Sequence, residues 1–266
     1  MKDQGFLQTA VEAAQQGGLE LVKVFGKLDS SQVGLKGEGD YVTESDRASE
    51  EVIIQAIRNR FPDHGFLGEE GGVRQGTSEY VWCIDPLDGT ANFVQGIAMF
   101  AVSVALMKGE EVVVGVVYEP IRNEIFQAEQ GKGAFLNNVP IRVVEKKDMS
   151  RAMLASGFPW RSKAELDSYL LSFRALFLQS AGIRRMGAAS LDLAWTACGR
   201  FDGFWEMRLH PWDIAAGILL VREAGGKVSE FAGGNGYFRS GNVVAGSPFV
   251  HGRMVEVTRS CLSGIS

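Results

Sequence analysis

Soft metal ligands are scarce in this sequence, which has three cysteines and three histidines among 266 residues. Cys83, Cys198 and Cys261 are odd in number, far apart and without a CxxC pair, so they read as reduced structural thiols and not as a disulfide framework. His64, His210 and His251 have no partner spacing, and packing or exposed roles outweigh metal binding. No apolar run approaches the roughly 20 residues that span a bilayer. The first residues, Met1 to Gly5, are polar and lead into a helical pattern, with no basic region followed by an apolar one. Positive charge is not in excess either: the formal net charge is -5, so the global basic field that drives unspecific nucleic-acid binding is absent. The expectation is a cytoplasmic protein without a membrane span and without direct nucleic-acid binding.

What is present is the composition of a folded domain, 45% hydrophobic and 22% charged, with no repeat, low-complexity tract or linker. Apolar residues recur at three or four positions from Phe6 to Phe25, a helix with a weak point at Gly17 and Gly18. A second helix starts near Thr43 and is stopped by Pro62, and Gly65 to Gly76 reads as loop. Between Tyr80 and Val144, short β-branched runs alternate with turn signals, predicting an antiparallel meander. Beyond it come a strand at Met153 to Ser156, helices at about Lys163–Gln179, Ser190–Cys198 and Trp212–Ala224, a strand at Val243–Ala245 and a closing helix. The order predicts layers, α/β or α+β. The chain is read as a single unit, 1–266, with two packed halves, 1–150 and 151–266, and a cleft between them is a natural place for a site.

Chemistry concentrates in Trp82-Cys83-Ile84-Asp85-Pro86-Leu87-Asp88-Gly89-Thr90, an apolar strand that runs into two carboxylates and a glycine. Pro86 can turn Asp85 and Asp88 toward one point, where like charges need a cation between them. Oxygen ligands without a cysteine or histidine cluster favour magnesium or manganese over zinc. Leu87 would offer only its backbone carbonyl. Glu69, in Gly68-Glu69-Glu70-Gly71-Gly72, and Asp213, in Pro211-Trp212-Asp213, are further carboxylates in suggestive places. Taken singly, the first reads as a solvated turn and the second as a helix cap. Asp88-Gly89-Thr90 is equally compatible with a common turn. If a helix or tight turn begins at Gly89, its free N–H groups form an anion site that the missing side chain leaves open. The Asp-x-x-Asp spacing differs from the Asp-x-Asp of phosphatases that form an aspartyl-phosphate. Gly131-Lys132-Gly133 lacks the remaining glycine and following helix of a nucleotide fingerprint and reads as a turn.

These segments resemble the inositol monophosphatase family of metal-dependent, lithium-sensitive phosphatases. The likeness rests on Asp40-Tyr41-Val42-Thr43-Glu44-Ser45-Asp46, Gly68-Glu69-Glu70, Trp82 to Thr90 with Asn92-Phe93, and Trp212 to Gly217 with Glu223-Ala224-Gly225-Gly226. It implies an α+β fold, a layered αβαβα sandwich of the inositol monophosphatase/fructose-1,6-bisphosphatase kind. It implies two or more Mg2+ ions, with Mn2+ as a substitute. Glu69, Asp85 and the Leu87 carbonyl would hold the activating ion, and Asp85, Asp88 and Asp213 a second. Thr90, oriented through Asp46, would help hold the attacking water, and Gly89 and Thr90 would hold phosphate oxygens. Glu70 would stand behind the ligands.

The resemblance implies hydrolysis of a small phosphorylated cyclitol or sugar, myo-inositol 1-phosphate first. Leu87, Asp88, Gly89, Thr90, Arg184, Ala189, Glu206 and Asp213 are the substrate-binding candidates, with Arg185 beside Arg184 and the stretch Gly187 to Ser190 nearby. Glu206 is equally read as a surface carboxylate, and Arg184 as a solvated or subunit-contact residue. Ala188, where animal members have threonine, and Arg208, where a smaller residue is usual, keep specificity from being copied. Fructose 1,6-bisphosphate and histidinol phosphate are the alternative substrates. A homodimer is expected from the resemblance. A mainly non-catalytic interaction role in RNA-polymerase or ribosomal-RNA processes, through a protein partner, is the alternative from another class.

Overall fold

Trp82 and Cys83 are consecutive on one strand and point to opposite faces of a sheet, and both are buried. A sheet apolar on both faces must be covered on both, and that requirement sets the architecture. The computed structural model describes residues 5–27, 33–37, 40–262 and 264, so Met1 to Gln4 of the opening stretch lie outside the described residues.

The chain begins with α1 (Phe6–Val24), a ribbon of β1 (Val33–Gly37) and β2 (Asp40–Thr43), and α2 (Glu44–Arg58). There follow β3 (Gly65–Gly68), β4 (Gly72–Arg74), β5 (Tyr80–Asp88), α3 (Thr90–Val94), β6 (Ala101–Lys108), β7 (Glu111–Glu119), β8 (Glu124–Glu129), β9 (Ala134–Leu136) and β10 (Val139–Ile141). The rest comprises β11 (Met153–Ser156), α4 (Leu166–Phe177), β12 (Gly182–Arg184), α5 (Ala189–Ala197), β13 (Gly203–Glu206), α6 (Pro211–Glu223), β14 (Lys227–Ser229), α7 (Tyr237–Ser240), β15 (Val243–Gly246) and α8 (Pro248–Cys261).

An eight-stranded sheet runs β10-β9-β8-β7-β6-β5-β3-β4, and a five-stranded sheet runs β12-β11-β13-β15-β14. On the outer face of the large sheet, α1 and α2 bury Ala10, Ala14, Ile53 and Ile57 against Trp82, Val104 and Val116. Between the sheets, α5 and α6 bury Leu191, Leu193, Ile214 and Ile218 against Cys83, Ala105 and Phe126 on one side and Phe204 and Ala245 on the other. Outside the small sheet, α4 and α8 cover Leu154, Trp205 and Val244 with Tyr169, Leu176 and Met254. The result is helix, sheet, helix, sheet, helix, the expected α+β sandwich.

The meander from β5 to β10 is antiparallel throughout. Three expectations need correction. Gly65–Gly76 is not loop but carries β3 and β4, with β3 parallel to β5. Its glycines hide the alternation because they admit backbone where side chains would stand: a Cβ on Gly65 would lie 3.3 Å from the carbonyl of Arg74. Gly17 and Gly18 are not a weak point, since α1 is continuous and both are buried. A Cβ there would stand 2.7 Å from Ile53 Cδ1 and 2.6 Å from Tyr118 Cε1, so the absent side chains let α1 lie close against α2 and β7. The second helix ends at Arg58, before Pro62 can stop it. Among the described residues, no helix is long and apolar enough to cross a membrane.

Candidate active site

Pro86 does not turn β5 out of its sheet. The strand continues to Asp88, but Asp85 pairs with Ser103 and Asp88 with Ala101, so β5 carries an extra residue in a bulge. The bulge brings both carboxylates to the wall of one cavity of about 250 Å³. Asp85 Oδ1 accepts from the N–H of Leu87 at 2.9 Å, which fixes the carboxylate across the bulge. Gly89 follows at φ 94°, and a Cβ there would stand 2.9 Å from the carbonyl of Met99, so glycine alone lets β5 pass into α3.

Glu69, Asp85, Leu87, Asp88, Gly89, Thr90, Ala189, Glu206 and Asp213 all line this cavity. Asp213 stands in the first turn of α6, where its Oδ2 accepts from the N–H of His210 at 2.7 Å, so the cap reading and the site reading hold together. Asp46 lies behind the wall. Its Oδ2 accepts from the Thr43 N–H at 2.8 Å and hydroxyl at 2.6 Å, while the Thr90 hydroxyl lies 3.2 Å from its Oδ1 and 3.0 Å from the carbonyl of Leu87. Buried Glu50 accepts from the N–H of Glu70 at 3.2 Å, and a Cβ on Gly68 would stand 2.1 Å from its Oε1, so Gly68 is required for the Glu69 turn.

Arg184 is the exception among the expected residues. It is exposed at the end of β12, does not line the cavity, and donates from Nη1 to the neighbouring carbonyl of Ile183. Arg185, the next residue, lines the cavity, because neighbours along an extended chain point opposite ways. Sequence reasoning missed Tyr41, Trp160 and Arg161, which also line it. Arg161 Nη1 lies 3.7 Å from Asp213 Oδ2, and its guanidinium lies over the Trp160 ring at 4.2 Å. No motif marks that loop. Each histidine packs: Trp82 Nε1 donates to His64 Nδ1 at 3.0 Å, His210 stacks on Trp212, and His251 Nε2 lies 2.9 Å from Ser229 Oγ.

The electrostatics fit a cation. Burial, with repulsion from Glu69, Asp88 and Asp213, pushes the Asp85 carboxyl well above the usual range. Burial raises Asp88 to about 6 against the hydrogen bonds from Ser190, and raises Asp213 to about 7 against the charge of Arg161. Asp46 is raised to about 6 and Glu206 to about 8, both by burial first. Among the described residues, no group of three or more Asp, Glu, His or Cys side chains is arranged to hold a metal ion as it stands. The carboxylates instead stand around a cavity within range of mutual repulsion, and their all-oxygen donor set suits a hard ion such as magnesium.

The inositol monophosphatase family model matches residues 2–263. The chain is 47% identical over 249 residues to the Nus factor SuhB of Pseudomonas aeruginosa, covering 92% of each chain. It is 41% identical over 264 residues to the inositol-1-monophosphatase of Mesorhizobium japonicum, covering 99% of each. Among solved structures, the extragenic suppressor protein suhB of Bartonella henselae superposes with a TM-score of 0.92 at 42% identity, over 95% of this chain and 97% of that one. With its layers, its bulged strand and its match along nearly the whole length, this chain belongs to the inositol monophosphatase family.

Proposed function

We propose that this chain is a magnesium-dependent phosphatase of small phosphate monoesters, with myo-inositol 1-phosphate as its substrate. The observation that carries this reading is the β5 bulge, which puts Asp85 and Asp88 on one cavity wall with Glu69 and Asp213 and runs directly into left-handed Gly89. Glu69, Asp85 and the Leu87 carbonyl would hold one ion, and Asp85, Asp88 and Asp213 a second. Magnesium there would supply neutralisation of phosphoryl charge and make an attacking water acidic near neutral pH. Mn2+ would substitute.

The chain's own groups orient the reactants. Thr90 Oγ1, held between Asp46 and the Leu87 carbonyl, positions the attacking water. The backbone N–H groups of Gly89 and Thr90 face the phosphate oxygens, and Ala189 leaves room beside them. Glu206 receives the hydroxyls of the leaving alcohol, with Arg161 and Arg185, whose charges act on it, also lining the cavity. The whole chain acts as one unit. Exposed Leu166, Leu170, Leu171 and Phe177 on α4 offer a face for a homodimer, which light scattering tests.

Phosphate release from myo-inositol 1-phosphate, fructose 1,6-bisphosphate and histidinol phosphate, each with and without magnesium, is the deciding experiment. The reading expects magnesium-dependent release with the highest kcat/KM on the inositol ester. Failure to release phosphate from any of them at high enzyme concentration sinks it. A second reading is favoured by the name Nus factor SuhB on relatives up to 47% identical: the chain works chiefly by interaction with a protein partner. A catalytically dead Asp88→Asn variant that fully replaces the wild type in cells would favour that role.

A further inference from the structure

The first turn of α5 is capped from outside its own segment. Ala188 occupies the N-cap position and has no side chain with which to cap. The cap comes instead from Asp88, 102 residues earlier in the chain, whose Oδ2 accepts from the Ser190 N–H at 2.7 Å and from the Ser190 hydroxyl at 2.5 Å. Ser190 is fully buried, so water does not compete for these bonds. Two donors on one oxygen fix both the position and the plane of the carboxylate. Oδ2 is thereby committed to α5, whose Ala189 N–H also points at this carboxylate, on the wall of the cavity that Asp88 lines.

We propose that Ser190 is the positioning residue for Asp88, holding its carboxylate in the orientation that a divalent cation needs before the cation arrives. This rests on Asp88 being a metal ligand, as proposed above. The physical reason for separating hydroxyl from amide is that only the amide is inherent to a helix start. An alanine at 190 keeps its own N–H beside that of Ala189 but removes the side-chain donor, so the carboxylate is held by backbone alone. With serine the two bonds span both the backbone and the side chain of one residue, and rotation breaks at least one of them. Groups that orient ligands in this way hold much of the affinity of a metal site.

The test is calorimetric titration of Mn2+ into purified, metal-stripped Ser190→Ala, Ser190→Cys, Ser190→Thr and wild-type protein, with Asp88→Asn as control. Ser190→Ala is expected to bind about tenfold more weakly. Threonine, which keeps the hydroxyl, restores affinity, and cysteine, a weak donor of similar size, falls between. Turnover at saturating metal stays close to wild type in Ser190→Ala, so the loss appears in the metal requirement and not in kcat. A merely structural role would lower the melting temperature without changing Mn2+ affinity. That result, or Ser190→Ala affinity within about twofold of wild type while Asp88→Asn loses binding, overturns the positioning role alone. Undiminished binding in Asp88→Asn overturns the ligand reading beneath it.

Discussion

The two walls of the cavity are built differently. The wall from the large sheet is a short stretch of one strand, β5, whose bulge supplies Asp85, Leu87 and Asp88 within four consecutive residues, with Gly89 and Thr90 directly after. The rest of the lining, apart from Glu69 and Asp213, is gathered from separate places: Trp160 and Arg161 before α4, Arg185 after β12, Ala189 on α5 and Glu206 on β13. Local geometry makes the first wall rigid and repeatable. The second depends on how four distant pieces pack, and it can change its lining one residue at a time. On the proposed reading, Glu69 and Asp213 join the β5 carboxylates in holding the metal ions, and the surface that would meet the alcohol is assembled from these separate pieces.

The sharpest way to break this comparison is Asp85→Asn. It is expected to lower kcat/KM by about a thousandfold, the scale of losing a group that stabilises the transition state, measured by phosphate release. The metal-free variant should melt no lower than wild type, because the substitution removes a buried charge that its neighbours repel. Gly18→Val tests the outer layer of the large sheet away from the cavity. The new side chain meets Tyr118 and should cost about 1–3 kcal/mol in chemical denaturation while leaving KM unchanged.

On the assembled wall, Arg161→Ala is expected to raise KM about tenfold with kcat largely kept, the signature of lost uniform binding. A fall in kcat with KM unchanged would place Arg161 in the chemistry and erase the distinction between the walls. The smallest effect is expected in the small sheet's outer layer, where burial lowers the pKa of His251 to about 4. The unfolded histidine takes up a proton near pH 6.5 and the folded one does not, so this residue's contribution is present above about 6.5 and is lost as pH falls toward 4. Solvent access limits the contribution to about 1–2 kcal/mol. Asp46, Asp88 and Asp213 titrate with the opposite sign, so the readout is the difference between wild type and His251→Gln across that window.

The same contrast governed what could be read from the sequence. Helices α1 and α2 announced themselves by period, and β5 to β9 by short β-branched runs set between turn signals. β13 did not: its four residues, Gly203-Phe204-Trp205-Glu206, include no β-branched side chain, and all are buried, so neither composition nor alternation marks it. β3 and β4 were hidden by glycines that serve close backbone approach. At the site, Asp85, Asp88, Glu69 and Asp213 were legible as motif residues, and each lines the cavity. Arg161 was not, since nothing in Phe158-Pro159-Trp160-Arg161 signals chemistry before packing brings it to Asp213. Arg184 and Arg185 are not told apart by the sequence, because neighbouring residues carry no label for which way they will point.

The contact between Arg161 and Asp213 has a practical consequence. The acid-rich pocket carries a counter-charge of its own, one that chelators cannot remove. On the proposed reading, an ion held by Asp213 would share that carboxylate with a guanidinium 3.7 Å away.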